Sequence, residues 1–498
     1  MWRKPEGDFE VVETPKYERT GTWRFILAGL FAANLFLLHA MRLTLSVSIT
    51  AMVNSTSSDP ESLLNATCRS PHLINTSLAN TSTTEPVVER NGEFNWSKEE
   101  QSRVTYAFFA GYMISQVPGG YIAQTYSFSW TVGVGVAFTS ILTCLTSFAA
   151  RLSLYALLAL RFLEGIGEGV ITPCIFVFVT KWVPIEEQGF LLNLVASGST
   201  LAMVSTMPLS AMLCASDLGW PSAFYIFGFG GIVSCILWLI NAADGPEHHR
   251  WISREERDYI MEYRPPSTKR SPKFVPWRRM LLSPVVILLS IQSLAKCLNF
   301  YTILTELPSY LKYMFGIYIV EDGLINGGIH LGTASSLVFC GWAADKIIKE
   351  RILPKSVVRR TCIAVSGFIP ALCLATIPFV GCNYEVILAL ILLNCICFGF
   401  SGGGDSLLAL DLAPKFAGTL QGIVGTVSHS SGVIAPMFVG IMTNDQDSLL
   451  QWNLIFGSLA VIGAVWTALF LTFGSTEEQE WARDEHEAKD DITTLCDE

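Results

Sequence analysis

Twelve apolar runs, each of about 20 residues or more, recur along the chain at 24–52, 101–123, 130–149, 154–180, 188–213, 222–242, 284–311, 323–344, 359–380, 384–407, 416–441 and 451–474. Each is long enough to cross the ~30 Å hydrocarbon core as a helix. No stretch has the roughly ten-residue in–out alternation of a membrane barrel. Backbone in lipid must satisfy its own polar groups, so runs of this length predict an all-α membrane protein with twelve transmembrane helices. Composition agrees: 51% of the 498 residues are hydrophobic and only 15% are charged, which excludes an ordinary soluble domain.

Lysine and arginine placement orients these spans. With the N-terminus inside, the inner segments hold 24 basic residues and the outer segments five, Arg69, Arg90, Lys98, Arg151 and Lys312. The positive-inside rule then puts both termini in the cytosol. The loop 53–100 falls outside, and it carries five glycosylation sequons, at Asn54, Asn65, Asn75, Asn80 and Asn95. A Ser/Thr/Asn-rich loop matching by composition alone is the bland alternative. Residues 1–23 are a polar cytosolic tail with no cleavable signal peptide. An inner linker, 243–279, separates an N-terminal half, 24–242, from a C-terminal half, 280–474, which an acidic tail, 475–498, follows. Within the linker, Ser253 followed by charged and spaced apolar residues predicts a short amphipathic helix lying on the inner membrane surface.

The formal net charge of -10 is no partner signal, because the acids gather in the outer loop and the tail. There is no basic patch for nucleic acid. Cys68, Cys214 and Cys382 fall on the oxidising side, where one disulfide could form, and no metal spacing occurs among the 13 cysteines. Neither tail has an acidic-dileucine sorting signal, so the plasma membrane is expected over a lysosomal or vesicular one.

Ionisable residues inside the runs are few and costly. A charge at mid-bilayer costs about 2.5–3.5 kcal/mol even on the most lenient scale, so it normally faces a bundle interior or a wet cavity. Away from the run ends they are Arg42 in the first run, Arg161, Glu164 and Glu168 in the fourth, Lys296 and Glu306 in the seventh, and Asp405 in the tenth. These are the leading spans of four three-span units, the pattern of inverted repeats around one cavity. In Arg161-Phe-Leu-Glu164-Gly-Ile-Gly-Glu168-Gly169 the three charges share one helical face, and the interleaved glycines let a neighbouring helix come close. Arg42, Arg161 and Lys296, with Asn299 on the Lys296 face, are candidate substrate ligands. Glu164, Glu168, Glu306 and Asp405 are candidate carriers of a coupling ion. Internal ion pairs that merely fix helix register are the alternative. His39, His330 and His429 read as helix-bridging groups, and Gly402-Gly403-Gly404 as close packing rather than an unwound segment. No catalytic residue and no nucleotide loop stand out.

Met41-Arg42-Leu-Thr-Leu-Ser-Val-Ser, Gln116-Val-Pro-Gly-Gly-Tyr-Ile-Ala, the helix 4 segment above, Lys181-Trp-Val-Pro, Phe300-Tyr301, Leu307-Pro308-Ser-Tyr and Leu410-Asp411-Leu-Ala-Pro-Lys-Phe-Ala-Gly occur in a telling order. Together, over about residues 24–474, they resemble the anion symporters of the major facilitator superfamily that include the sodium-phosphate cotransporters, sialin and the vesicular glutamate transporters. The resemblance implies two six-helix halves of inverted three-helix repeats, with anion binding and proton coupling carried by Arg42, Arg161, Glu164 and Glu168. Lys296 falls where the vesicular glutamate transporters have a substrate-contacting arginine, and it keeps the charge without the bidentate fork. Departures count as well. The helix 10 histidine of the family is replaced in Leu408-Ala409-Leu410-Asp411, the helix 2 histidine of glutamate transporters falls near Thr105, and 124–130 lacks the acid and base of the superfamily's gating motif. Glu306 and Asp405 are extra carboxylates.

The implied function is a secondary active transporter that symports inorganic phosphate or small organic anions with H+ or Na+ by alternating access, as a monomer and without a cofactor. A uniporter or exchanger is the alternative within transporters. A membrane-embedded enzyme would want a paired histidine and nucleophile, which the sequence does not present, and six plus six spans disfavour a channel.

Overall fold

The computed structural model describes residues 21–54, 92–265, 274–315, 319–443 and 449–483. Its long helices are α1 Trp23–Met52, α2 Lys98–Thr125, α3 Phe128–Leu152, α4 Leu154–Trp182, α5 Gln188–Ala215, α6 Pro221–Asn241, α7 Pro284–Phe315, α8 Ile319–Lys349, α9 Lys355–Val380, α10 Tyr384–Leu412, α11 Pro414–Met442 and α12 Leu449–Phe473. Ten of the twelve are long and apolar enough to cross a membrane; α2 and α8, of 28 and 31 residues, match them in length. Polar caps make the turns tight. Ser97 and Glu100 form a capping box at the start of α2, and the Ser127 and Ser153 hydroxyls each accept a backbone N–H at 3.1 Å to begin α3 and α4.

Helix pairing repeats between the halves. In the first half α1 packs along α5, α2 along α4 and α3 along α6; in the second, α7 packs along α11, α8 along α10 and α9 along α12. The halves meet where α2 runs along α11 and α5 along α8. The same device closes both contacts at the end where α1 begins and α12 ends. A Cβ on Gly120 of α2 would lie 2.3 Å from Gly418 O, and one on Gly341 of α8 would lie 2.5 Å from Gly189 O, so backbone touches backbone. Four residues further on, Gln124 Oε1 accepts from Thr419 N at 3.2 Å, and Asp345 Oδ2 accepts from Phe190 N at 2.8 Å. Asn193 of α5 adds a bond to Gly402 O at 2.7 Å, and Glu186 pairs with Lys349.

At the opposite end the chain after α1 is clasped to the chain before α2. Asn54 N donates to Phe94 O, Phe94 N to Met52 O, and Asn54 Nδ2 to Asn95 Oδ1 at 2.7 Å. Arg151 and the Trp220 indole hold the Glu93 carboxylate beside this clasp, and the Arg151 hydrogen bond keeps Glu93 below the usual carboxylate range. Asn65, Asn75, Asn80 and Cys68 lie outside the described residues.

The linker helix, Arg254–Tyr263, begins at its Ser253 cap and docks on the first half. Its Glu256 is 3% exposed and receives the Arg24 guanidinium and the Trp23 and Arg24 backbone amides, while Trp251 stacks on Trp23 and His249 packs against it with tilted rings. Gly399–Gly403 is a 3-10 segment interrupting α10, so close packing and departure from the α-helix occur together: a Cβ on Gly402 would lie 2.3 Å from Leu337 O. Cys382 is disulfide-bonded, and the Cys214 thiol lies 3.5 Å from Ser48 Oγ.

Candidate functional site

The glycines of α4 place its charges. A Cβ on Gly165 would lie 2.0 Å from Phe108 O, and a Cβ on Gly111 equally close to Phe162 O, so α2 and α4 lie in backbone contact and turn the polar stripe inward. Arg161, Glu164 and Glu168 are 3%, 1% and 2% exposed. Arg161 Nη1 donates to Glu164 Oε2 at 2.5 Å and Nη2 to the Arg42 carbonyl at 3.3 Å, while Thr146 of α3 donates to Glu164 Oε1 at 3.2 Å. Glu164 is thus fully engaged by its neighbours. Glu168 is not: neither carboxylate oxygen has a hydrogen-bond partner, and the nearest basic side chains are the Arg42 guanidinium and the His39 imidazole, with Nη1 and Nδ1 both 3.8 Å away.

Arg42 occupies an aromatic cage. Its guanidinium carbon lies 4.4 Å from the Phe109 ring centre, 5.1 Å from Phe108, 5.6 Å from Tyr112 and 5.9 Å from Tyr301, and Nη2 donates to Tyr301 Oη at 3.3 Å. Rings hold a cation without neutralising it, so the charge stays available to an anion. Tyr301 belongs to α7, and this bond therefore joins the two halves at mid-height. A second such joint stands beside it, where His429 of α11 lies edge-on to Tyr112 and 3.2 Å from Gln116 Nε2.

In the second half Lys296 Nζ donates to Asp405 Oδ1 at 2.7 Å and to Ser366 Oγ at 2.6 Å. The expected anion ligand is therefore bound to one of the expected ion carriers. Asn299 is buried near it in sequence on α7, with Oδ1 unpartnered, and so is Gln292, with neither amide atom partnered. Glu306 is not brought into the cluster: it accepts from its neighbour Thr305 and makes no ion pair among the described residues. His429 bridges helices as expected, whereas His39 bonds to Leu35 O of its own helix and faces Glu168. His330 is 2% exposed with neither ring nitrogen hydrogen-bonded. Ser366 and Gln292 carry no mark in the sequence, since single polar residues are common in apolar helices. Tyr301 stands in the Phe300-Tyr301 pair, which by itself points to no role.

The family model for the Major Facilitator Superfamily matches residues 72–436. Sialin of Ovis aries is 32% identical over 467 residues, covering 93% of this chain and 92% of the relative. Vesicular glutamate transporter 1 of Bos taurus is 30% identical over 468 residues, with 93% and 79% covered, and a Drosophila melanogaster protein named "Putative inorganic phosphate cotransporter" is 29% identical over 456, with 89% and 83% covered. Among solved structures, the proton:xylose symporter XylE bound to 6-bromo-6-deoxy-D-glucose superimposes with a TM-score of 0.64 at 12% identity, covering 93% of this chain and 98% of that one, a likeness of fold.

Proposed function

The chain belongs to the Major Facilitator Superfamily, in the branch of sialin, the phosphate cotransporters and the vesicular glutamate transporters, and on that premise we propose that it symports inorganic phosphate or a small organic anion with protons. It is a multi-pass membrane transporter, not an enzyme. The anion is drawn to Arg42, with Arg161 behind it, and Glu168 loads the proton.

The observation that carries this reading is Glu168 itself. Its carboxylate is 2% exposed, has no hydrogen-bond donor on either oxygen, and has a caged guanidinium 3.8 Å away. A proton on a carboxylate in that position would leave Arg42 as a net positive site for the anion. Sodium is the less apt partner here. Hard cations need several oxygen ligands, whereas the groups around Glu168 are Arg42, His39 and aromatic rings. Both termini lie in the cytosol and the loop 53–100 outside, with the plasma membrane as the site of action.

Uptake by purified protein in liposomes tests the reading, with inorganic phosphate, L-glutamate and further small anions offered under separately imposed proton and sodium gradients. Saturable accumulation driven by the proton gradient is expected. Accumulation driven by sodium alone would overturn the assignment of the coupling ion, and flux that never saturates would point to a channel.

A further inference from the structure

We propose that Asp405 is a built-in counterion for Lys296: it holds the ammonium while the carrier is empty and yields it to the anion when Asp405 takes up a proton. The proposal rests on the anion-symport reading and adds a second, proton-linked anion contact in the C-terminal half.

Charge counting comes first. Arg42, Arg161 and Lys296 are opposed by Glu168, Glu164 and Asp405, at 3.8, 2.5 and 2.7 Å respectively. With every group ionised the set is neutral and offers an anion no net attraction. A proton on Glu168 releases one positive charge, and a proton on Asp405 releases another. The two pairs are also equivalent by position, since Arg42–Glu168 spans α1 and α4 while Lys296–Asp405 spans α7 and α10, the leading helices of the repeats.

Local geometry makes Asp405 the partner that can leave. Its side chain is 12% exposed against 6% for Lys296, so the carboxylate is the wetter end of the pair. It opens the 3-10 turn Asp405–Leu407, after the 3-10 segment Gly399–Gly403 and Gly404 at φ -115°, ψ -112°, so it stands outside the regular α-helix of α10. Arg359 Nη1 holds Gly403 O at 2.9 Å and anchors the chain just before it. Buried polar atoms without partners flank the ammonium on α7: both amide atoms of Gln292, four residues before it, and Asn299 Oδ1, three residues after it. Residues at those spacings share Lys296's face, and the Gln292 amide is a donor with nothing to donate to until a ligand arrives.

The groups around Asp405 leave the exchange to this pair. From α7 it faces Lys296 and the Cys297 thiol, and from α9 the Cys362 thiol. Arg359 is bound to Asp411 at 2.7 Å, and Lys355 binds the other oxygen of that same carboxylate. By linkage, an anion that takes Lys296 from Asp405 raises proton affinity there, and a proton on Asp405 raises anion affinity by the same factor.

Liposome uptake of inorganic phosphate and of L-glutamate, measured from pH 5.5 to 7.5, tests this on the wild type, Asp405→Asn, Lys296→Gln and the double variant. Asparagine keeps the shape and an acceptor for Lys296 but competes as a neutral group. Asp405→Asn should lower KM about tenfold near pH 7.5, the worth of one hydrogen bond to a charged group. The slope of log KM against pH should fall by one proton. On the Lys296→Gln background, Asp405→Asn should change KM no further. Should the single variant fail to fold, the double variant, with its neutral pair, carries the same slope test. A folded Asp405→Asn protein with the wild-type KM and slope, or an effect that persists without Lys296, overturns the counterion role alone. A wild type that moves neither anion overturns it together with the reading of the cavity.

Discussion

Gln124 does for Thr419 what Asp345 does for Phe190: each side chain stands in the last turns of one helix and accepts a backbone N–H near the start of a helix from the other half. Gln124 also takes the Thr419 hydroxyl at 3.2 Å. A neutral amide thus stands at one contact and a carboxylate at the other. A carboxylate gains additionally from the positive end of the helix it caps.

Cutting either cap should loosen the closed end unequally. Removal of a capping side chain costs about 0.5–2 kcal/mol, roughly a 2- to 30-fold change in opening. Hydrogen exchange at Phe190 should therefore quicken in Asp345→Ala more than exchange at Thr419 quickens in Gln124→Ala. Unchanged exchange at both sites would mean that the glycine contacts alone hold the halves together.

Arg161→Ala should abolish transport while the protein still reaches the membrane. It leaves Glu164 buried without its cation, and breaking a buried pair costs about 3–5 kcal/mol, so thermal unfolding must be measured beside uptake. Arg161→Lys should recover part of the rate, because it keeps the charge but cannot reach Glu164 and the Arg42 carbonyl together. Near-normal uptake in the alanine variant would make this arginine purely structural.

Glu168→Gln fixes the neutral state of the proposed proton carrier. Anion exchange across the membrane should persist, since Arg42 is left uncompensated, while uphill uptake in response to a pH gradient should fall to what the Lys296–Asp405 pair alone can support. Glu164→Gln should behave differently, because Glu164 is already bound by Arg161 and Thr146. It should lower stability and rate together. Full proton-driven accumulation in Glu168→Gln would move the coupling ion elsewhere, with Asp405 next in line.

Orientation has its own test. Replacing Asn54, Asn65, Asn75, Asn80 and Asn95 by glutamine should collapse a glycan-dependent shift in gel mobility when the protein is made in a secretory-pathway host. Absence of any such shift in the parent chain would remove the main support for an outer 53–100 loop. Asn54 and Asn95 should contribute least, since their side chains bond to each other.

Much of the molecule follows from the sequence alone. Length and apolarity of the runs fix the number of spans, because a backbone in lipid has no other way to satisfy its polar groups. The cost of charge in hydrocarbon marks Arg42, Arg161, Glu164, Glu168, Lys296 and Asp405 as residues that must face inward. Local rules also set the caps at Ser97, Ser127, Ser153 and Ser253.

Which charge meets which was decided by the tertiary structure. Helical spacing allows Glu164 or Glu168 to be the partner of Arg161; packing against α2 and α3 gives Arg161 to Glu164 and leaves Glu168 short of donors. Lys296 and Asp405 stand 109 residues apart, and their contact depends on how α7, α9 and α10 cross. The cage around Arg42 draws on α2 and α7, and the bed of the linker helix on Arg24. Energies of side-chain pairing depend on distances that no local pattern encodes. The chain therefore announces the residues of its cavity, while their pairings emerge only once the helices are packed.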